Sequence, residues 1–354
     1  MDLEGRLDLV LKEPTEEVVT LEELKELLSS NSNPAHYIGL EVSGRLHIGS
    51  LLINGFKVND LHKAGFKTQI FLADWHSVIN NKLGGDWEKI DKASKYYEEA
   101  FKFFCPGSKI IRGTELYKEN DGYWRDVIAF SKQITLARAT RCLAILGRTE
   151  KDSLDLAQYF YPSMQGVDMK HLGVDLAHAG MDQRKIHMVA REVFPKMKQK
   201  KPIALHHHLL AGLTEPPKVS GVDKEDAVYA SKMSKSLPNS AIFIHDSEKE
   251  ISDKIRKAYC PEKVEGNPVM EIARYVIFHE AKALKIERDA KYGGNLEFRN
   301  YAELEREYAG KKLHAVDLKN AVARELAKIL EPLRTHFEGK KDLLRVFDEA
   351  EITR

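Results

Sequence analysis

Cysteine is scarce in this sequence. Cys105, Cys142 and Cys260 stand far apart and share no Cys-x-x-Cys spacing, which excludes a disulfide framework and a cysteine zinc site. No apolar run reaches transmembrane length, and the acidic start (Asp2, Glu4, Asp8) lacks the basic-then-apolar layout of a signal peptide. The expected location is the cytoplasm. Net charge is missing as well: 55 Lys and Arg against 54 Asp and Glu leave +1, so an anionic partner would have to meet a local patch. Internal repeats and low-complexity stretches are also lacking. What remains is 354 residues, 43% hydrophobic and 31% charged, which excludes disorder and collagen and suffices for two globular domains.

Residues 1–35 read as a helical segment, with Thr20 and Glu23 spaced as a capping box before Leu24, Leu27 and Leu28. Between 36 and 245, strand and helix signals alternate. Tyr37–Leu40 is an apolar strand, Ser43-Gly44 a turn, His47 to about Lys63 helical, and Lys67–Ala73 a second strand, together a βαβ unit. A helix near 86–104 and a strand at 109–111 follow, then a helical insertion over about 115–160 with long helical material from 123 to about 147, and a helix near 163–172. Strands at 173–180 and from Ile203 complete the series. This alternation predicts an α/β domain, a doubly wound Rossmann-like parallel sheet with ligands at the carboxyl ends of its strands. Over 246–354 strand signals thin out. Asp246 or Ser247 can cap a helix to Ala258, and amphipathic stretches near 269–283, 301–310 and 316–337 predict a C-terminal helical domain.

The first βα turn reads Ser43-Gly44-Arg45-Leu46-His47-Ile48-Gly49-Ser50, which is neither a dinucleotide fingerprint nor a Walker A loop. A histidine at a helix start, with glycine two residues on, suits a triphosphate: the imidazole donates to phosphate oxygens and the bare glycine admits the adenine. Far downstream, Lys232-Met233-Ser234-Lys235-Ser236 places two lysines on a polar loop, where they can neutralise a leaving pyrophosphate. In this order the two segments resemble the HIGH and KMSKS signatures of class I aminoacyl-tRNA synthetases. Ser50 departs from the first signature, standing where its second histidine belongs. The resemblance implies that Gly44, His47, Gly49, Ser50, Gly180, Asp182 and Lys232–Lys235 bind ATP, with His47, Lys232 and Lys235 catalytic and Mg2+ arriving on the nucleotide.

Tyr161, Gln165, Asp168 and Leu172 fall on one helical stripe at about 100° per residue, a poor core face and a good wall for a polar ligand. With the surrounding chain, from Tyr37 to the final helix, they resemble the tyrosyl-tRNA synthetases of the archaeal and eukaryotic type. Such enzymes join tyrosine to ATP as tyrosyl-adenylate and esterify the 3′ end of tRNA(Tyr). The resemblance implies that Tyr161, Gln165 and Gln183 hold the α-amino group, and that Asp168 and Tyr37 hold the phenolic hydroxyl. Gly39, Phe71, Ala73, His76 and Glu115 are implied as further pocket candidates. By the same match Arg141, Arg184 and Lys185, with Arg138 one turn before Arg141, meet the tRNA acceptor stem. Tyr292, His314 and Asp317 read the anticodon, with Ala315 and Tyr292 mild departures from the pattern, and a homodimer is implied. His206-His207-His208 has no acidic or cysteine partner in sequence and is not expected to hold a metal. Three other readings stay open: a tryptophanyl-tRNA synthetase, another nucleotidyl transferase using only the first signature, and a noncatalytic synthetase-like RNA-binding protein.

Overall fold

A computed structural model of the chain describes residues 1–143, 154–216, 231–235 and 237–348. The chain divides into two compact units, one of Met1–Gly44, Asn54–His208 and Asp342–Arg354, the other of Arg45–Ile53 and Leu209–Lys341. The His47 turn and the Lys232 loop therefore fall in the same unit.

In the first unit, a six-stranded sheet runs in the order β1-β6-β5-β2-β3-β4. Its strands are β1 (Thr15–Val19), β2 (Ala35–Leu40), β3 (Lys67–Leu72), β4 (Lys109–Arg112), β5 (Leu176–Gly180) and β6 (Ile203–His207). All neighbours pair in parallel except β1, which runs antiparallel along the edge of β6. Parallel strands need crossovers. These are α3 (Asn54–Lys63) between β2 and β3, α4 (Asp74–Ile79) and α5 (Trp87–Phe104) before β4, and α10 (Arg184–Lys196) between β5 and β6. Between β4 and β5 lie α6 (Gly113–Tyr117), α7 (Asp121–Ser131), α8 (Leu136–Cys142) and α9 (Tyr161–His171). The strand order reverses between β2 and β5, so the carboxyl ends of these two strands flank the crevice where such sheets take ligands. Tyr37–Leu40 and Gly180 stand there.

The structure bears out the doubly wound sheet and differs from the sequence reading in three details. Residues 1–35 are not purely helical: α1 (Leu3–Leu11) and α2 (Leu21–Ser30), the latter capped by Thr20, flank strand β1. Thr15-Glu-Glu-Val-Val is short and has a single neighbour, so its strand pattern is weak. The long helix expected from 123 ends at Ser131, and Thr135 caps the separate α8, accepting from the Arg138 backbone N–H. The rest of that expected helix, 144–147, lies outside the described residues. In the second unit, the expected all-helical region also carries a small hairpin, β7 (Leu284–Ile286) with β8 (Leu296–Phe298). Its helices include Glu248–Lys257, capped by Ser247 in a full capping box with Glu250, and the long Ala315–Phe337.

Two apolar clusters sandwich the sheet. One gathers Phe66, Leu176 and Leu205 with the α1–α2 leucines, the other Tyr37, Phe71, Ala177, Val189 and the aromatic face of α7. Adjacent residues of β5, Leu176 and Ala177, enter different clusters, as a period of two requires.

Several polar groups that this packing buries find partners. His36 Nε2 meets His178 Nδ1 at 3.2 Å and His178 Nε2 meets His207 Nδ1 at 2.8 Å, a chain of imidazoles across β2, β5 and β6. A second pair, His187 and His206 (3.1 Å), ends on Glu17 of β1, 2.8 Å from His206. Lys57, wholly buried on α3, donates to the carbonyls of Leu9, Val10 and Lys12 and so caps the end of α1.

Candidate active site

Helix α9 is buried along almost its entire length, because Gly166 brings it against α7: a Cβ at Gly166 would lie 2.6 Å from the Phe130 ring. Asp168 is thereby held inside the protein. Its Oδ1 accepts hydrogen bonds from the hydroxyls of Tyr123 (2.7 Å) and Tyr117 (2.9 Å). Its Oδ2 lies 3.5 Å from His76 Nε2, and neither of these two buried atoms has a hydrogen-bond partner among the described residues. Burial pushes the Asp168 carboxyl up to about 8, while the two phenols pull it down. Burial alone keeps His76 neutral, with a pKa of about 3.

Tyr37 leaves β2 on the same side. Burial first and the Asp168 charge second raise its hydroxyl well above the ordinary phenol range. Gly39 gives that side chain its place, since a Cβ there would stand 2.2 Å from Tyr37 Oη. Phe71 packs on Tyr37 with ring centroids 5.9 Å apart, and His76 meets Tyr161 edge-on at 4.5 Å.

At the other end of α9, the Tyr161 hydroxyl donates to Glu41 Oε1 (2.9 Å), which also accepts from Asn80 (2.9 Å). Gln165 donates to Gln183 Oε1 (3.2 Å), leaving its own buried Oε1 without a partner among the described residues. Among the described residues, unfilled buried polar atoms thus stand along α9: Asp168 Oδ2 with His76 Nε2, which suit a hydroxyl, and Gln165 Oε1, which suits an amine N–H.

The His47 turn belongs to the second unit. The His47 backbone N–H donates to Ser50 Oγ (2.9 Å), Ser50 Oγ donates to the His47 carbonyl (3.0 Å), and the Ser50 N–H donates to His47 Nδ1 (3.2 Å). This last bond places the imidazole proton on Nε2, which is left as a donor. Gly49 permits the arrangement, because a Cβ there would press at 3.1 Å on the imidazole. Burial, then Lys235, then Lys232 lower the His47 pKa well below the usual imidazole value, so the ring is neutral.

Backbone pairing fixes both partners. Ile48 N–H donates to Ile242 O (2.9 Å) and Met233 N–H to Leu210 O (2.7 Å), while Lys232 bridges Ala211. Both lysines lie near enough to His47 for their charges to act on its imidazole. Ser236 lies outside the described residues. Gly44 belongs to the first unit, where its carbonyl accepts from the Tyr97 hydroxyl (3.0 Å).

Comparison with known proteins fits this geometry. The family model of class I tRNA synthetases (W and Y) matches residues 29–331. A tyrosine–tRNA ligase of Thermococcus sibiricus is 45% identical over the whole of both chains. The chain belongs to the class I tRNA synthetases. Among solved structures, the tyrosyl-tRNA synthetase of Pyrococcus horikoshii complexed with L-tyrosine is 44% identical, with a TM-score of 0.92 over 99% of this chain and 100% of that one. The Aeropyrum pernix tyrosyl-tRNA synthetase is 38% identical, with a TM-score of 0.86 over 99% of each chain.

The remaining candidates of this synthetase fall in both units, with Arg138, Arg141 and Lys185 near enough to Cys142 for their charges to act on its thiol. Arg141 on α8 and Lys185 on α10 are exposed, whereas Arg184 is drawn to Glu17 (2.8 Å) and Arg138 to Glu192 (2.7 Å). In the second unit, Tyr292 is 63% exposed on a turn closed by Gly293 in the left-handed region. His314 caps the helix Ala315–Phe337, accepting from the Val316 N–H at 3.2 Å, and Asp317 lies in its first turn. Gly180 ends β5, and Asp182 sits in the 3-10 turn Met181–Gln183 before α10. Glu115 is exposed, and the residue of α6 that reaches Asp168 is Tyr117.

Sequence reasoning missed Tyr117, Tyr123, Glu41 and Tyr97. Each acts on another side chain or a backbone group, and no local spacing announces such a role.

Proposed function

We propose that this synthetase is a tyrosine–tRNA ligase that activates tyrosine with ATP and transfers it to the 3′ end of tRNA(Tyr). The observation that carries this reading is the buried Asp168 carboxyl with one oxygen already filled by two phenols and the other unfilled beside His76, and with Tyr37 near enough for its hydroxyl to feel the Asp168 charge. A substrate phenol placed there donates to Asp168 Oδ2 and accepts from the Tyr37 hydroxyl. Phenylalanine would strand both groups, and tyrosyl enzymes are the standard illustration of this kind of rejection. Tryptophan offers no hydroxyl to the pair. The relatives named tyrosine–tRNA ligase support the same choice.

At the amino end, Gln165, Gln183 and Tyr161, backed by Glu41, take the ammonium group. The tyrosine carboxylate then attacks the α-phosphorus of ATP. A C–O–P link forms, the bond from Pα to the bridging oxygen breaks, and pyrophosphate leaves. The protein forms no covalent intermediate and needs no general base for this step. His47 Nε2–H, Lys232 and Lys235 stabilise the charge that develops on the phosphates, with the Ser234 and Met233 backbone forming the loop that carries them. Gly49 and Ser50 shape the His47 turn, Ser50 through its hydroxyl; Gly44 and Gly180 permit close approach of the nucleotide, and Asp182 takes the ribose hydroxyls. Magnesium travels on the ATP phosphates, in keeping with its preference for phosphate oxygens over protein cages. In the second step the terminal ribose hydroxyl of the tRNA attacks the aminoacyl carbonyl and AMP leaves.

Arg141, Arg184 and Lys185 are the acceptor-stem residues of this reading, and Tyr292, His314 and Asp317 its anticodon residues. A base stacked on exposed Tyr292 is how single-stranded RNA is commonly held. A second copy of the chain covers the exposed Ile128 and Leu136 of α7 and α8 in the homodimer we propose.

ATP–pyrophosphate exchange with each of the twenty amino acids tests the reading, and exchange supported by tryptophan rather than tyrosine would refute it. In the same assay above pH 8, where the Asp168 carboxyl is charged, Asp168→Asn is expected to lower kcat/KM for tyrosine by about 10- to 100-fold, the cost of a hydrogen bond to a charged acceptor. Gly39→Ala forces the Tyr37 hydroxyl out of its place. Overpacking of this size is expected to raise KM for tyrosine by about tenfold or more, and an unchanged KM would show that Tyr37 does not need this position.

A further inference from the structure

We infer that Tyr117 and Tyr123 are positioning residues for substrate selection: their hydroxyls occupy Asp168 Oδ1 so that Oδ2 alone is presented to the phenol of the amino acid. The inference rests on the tyrosine-binding reading above and adds two residues to it.

A carboxylate has two oxygens that a χ2 rotation exchanges, and a buried one with no fixed partner can turn either toward a ligand. Here two donors from two helices reach the same oxygen. Tyr117 of α6 lies 2.9 Å and Tyr123 of α7 2.7 Å from Oδ1, with their rings 4.5 Å apart. Rotating the carboxyl would break both bonds. The opposite oxygen has no hydrogen-bond partner among the described residues and faces His76 Nε2 at 3.5 Å.

The helices themselves are anchored. Asp74 accepts from the Thr114 N–H (3.0 Å) and hydroxyl (2.6 Å) and so fixes the start of α6. The Asn120 side chain caps α7, accepting from the Tyr123 N–H at 3.0 Å.

The phenols also favour the charged form of Asp168. The other titratable groups around it are Asp74, which raises its pKa, neutral His76, and the protonated Tyr37 and Tyr161. The two phenols alone among these groups lower the Asp168 pKa. Removing one of them moves the carboxyl further toward its neutral form, which cannot accept from the substrate as a carboxylate does.

The chain provides its own reporter. Its three tryptophans, Trp75, Trp87 and Trp124, form one aromatic cluster in which Trp75 lies 5.3 Å from Tyr117 and Trp124 5.2 Å from Tyr123.

The test compares wild type with Tyr117→Phe and Tyr123→Phe, each alone and in an Asp168→Asn background. Tyrosine- and phenylalanine-dependent exchange is measured from pH 6 to 9, with tyrosine binding followed by tryptophan fluorescence and folding by thermal unfolding. Each Phe variant is expected to raise KM for tyrosine about tenfold, more than it lowers kcat, and to reduce tyrosine-over-phenylalanine selectivity in proportion. The acid limb of kcat/KM for tyrosine should move to higher pH, a shift that a merely structural role would not produce. In the Asp168→Asn background the same substitutions should cost little. Equal costs in both backgrounds, or an unmoved limb in the folded variants, would overturn the inference while leaving the activity assignment intact. Wild-type protein without tyrosine-dependent exchange would instead remove the activity assignment beneath it.

Discussion

Alanine in place of His47 or Lys235 is expected to slow tyrosine-dependent pyrophosphate exchange about 10²–10³-fold in kcat, with KM for tyrosine changing much less. The reason for the split lies in the placement of the groups. The residues proposed to bind tyrosine belong to the sheet unit, whereas His47, Lys232 and Lys235 belong to the other, so their loss leaves the tyrosine contacts in place.

The expected sizes follow from the state of each group. His47 is neutral and its Nδ1 accepts from the Ser50 N–H, so it offers one fixed Nε2–H and no charge. In the proposed mechanism each lysine adds a cation where negative charge grows on the departing pyrophosphate. Loss of any single donor leaves the other two, and this bounds the effect. Lys232→Ala should behave as Lys235→Ala does. Steady-state exchange with varied ATP and varied tyrosine separates the two constants, and unchanged kcat in both His47→Ala and Lys235→Ala would remove these residues from the chemistry.

Ser50 bears on the same step. Its side chain stands where the signature has a second histidine, and sequence alone leaves its hydroxyl available for phosphate. In the structure that hydroxyl accepts from the His47 N–H and donates to the His47 carbonyl. The departure therefore shapes the turn that presents His47.

The alternation of strands and helices was readable because parallel strands buried on both faces appear as apolar runs between amphipathic helices. The edge strand β1 escaped because five residues with two glutamates pair on one side only. The α9 stripe was readable for a different reason. Tyr, Gln and Asp repeating on one face conflict with core packing, and such conflicts gather at functional sites.

Tyr117 and Tyr123 were not readable, since a tyrosine among Leu116, Trp124 and Phe130 looks like core until its hydroxyl is seen on a buried carboxylate. The histidines of β2, β5 and β6 were unreadable in the same way. Their meaning lies in register, which pairs His178 with Ile38 and Leu205 and brings their imidazoles into line.

Those histidines carry the second large expectation, a steep loss of stability on mild acidification. His36, His178, His187 and His207 are buried and nearly or wholly cut off from water, as is His76. Burial drives His36, His76 and His207 down to about 3, and holds His178 and His187 well below the usual value of 6.5. Lys57 and the neighbouring histidines act in the same direction on His178 and His207, and only Asp182 opposes them at His207.

A group whose folded pKa is depressed in this way binds its proton after unfolding and not before. Its contribution to stability is complete above about pH 6.5 and drains as pH falls toward the folded value, at about 1.4 kcal/mol per pH unit for each histidine. Five such groups together would exhaust a stability of about 5–15 kcal/mol within a few pH units. Urea unfolding at pH 7.5, 6.5, 5.5 and 5.0 should therefore show stability level at first and then falling steeply. Replacing His36, the end of the imidazole chain, with glutamine removes one titrating group and should reduce the slope by about 1.4 kcal/mol per pH unit. Stability that stays level from pH 6.5 to 5.0 would mean that these imidazoles accept protons within the fold, and that the chain across β2, β5 and β6 is not sealed from water.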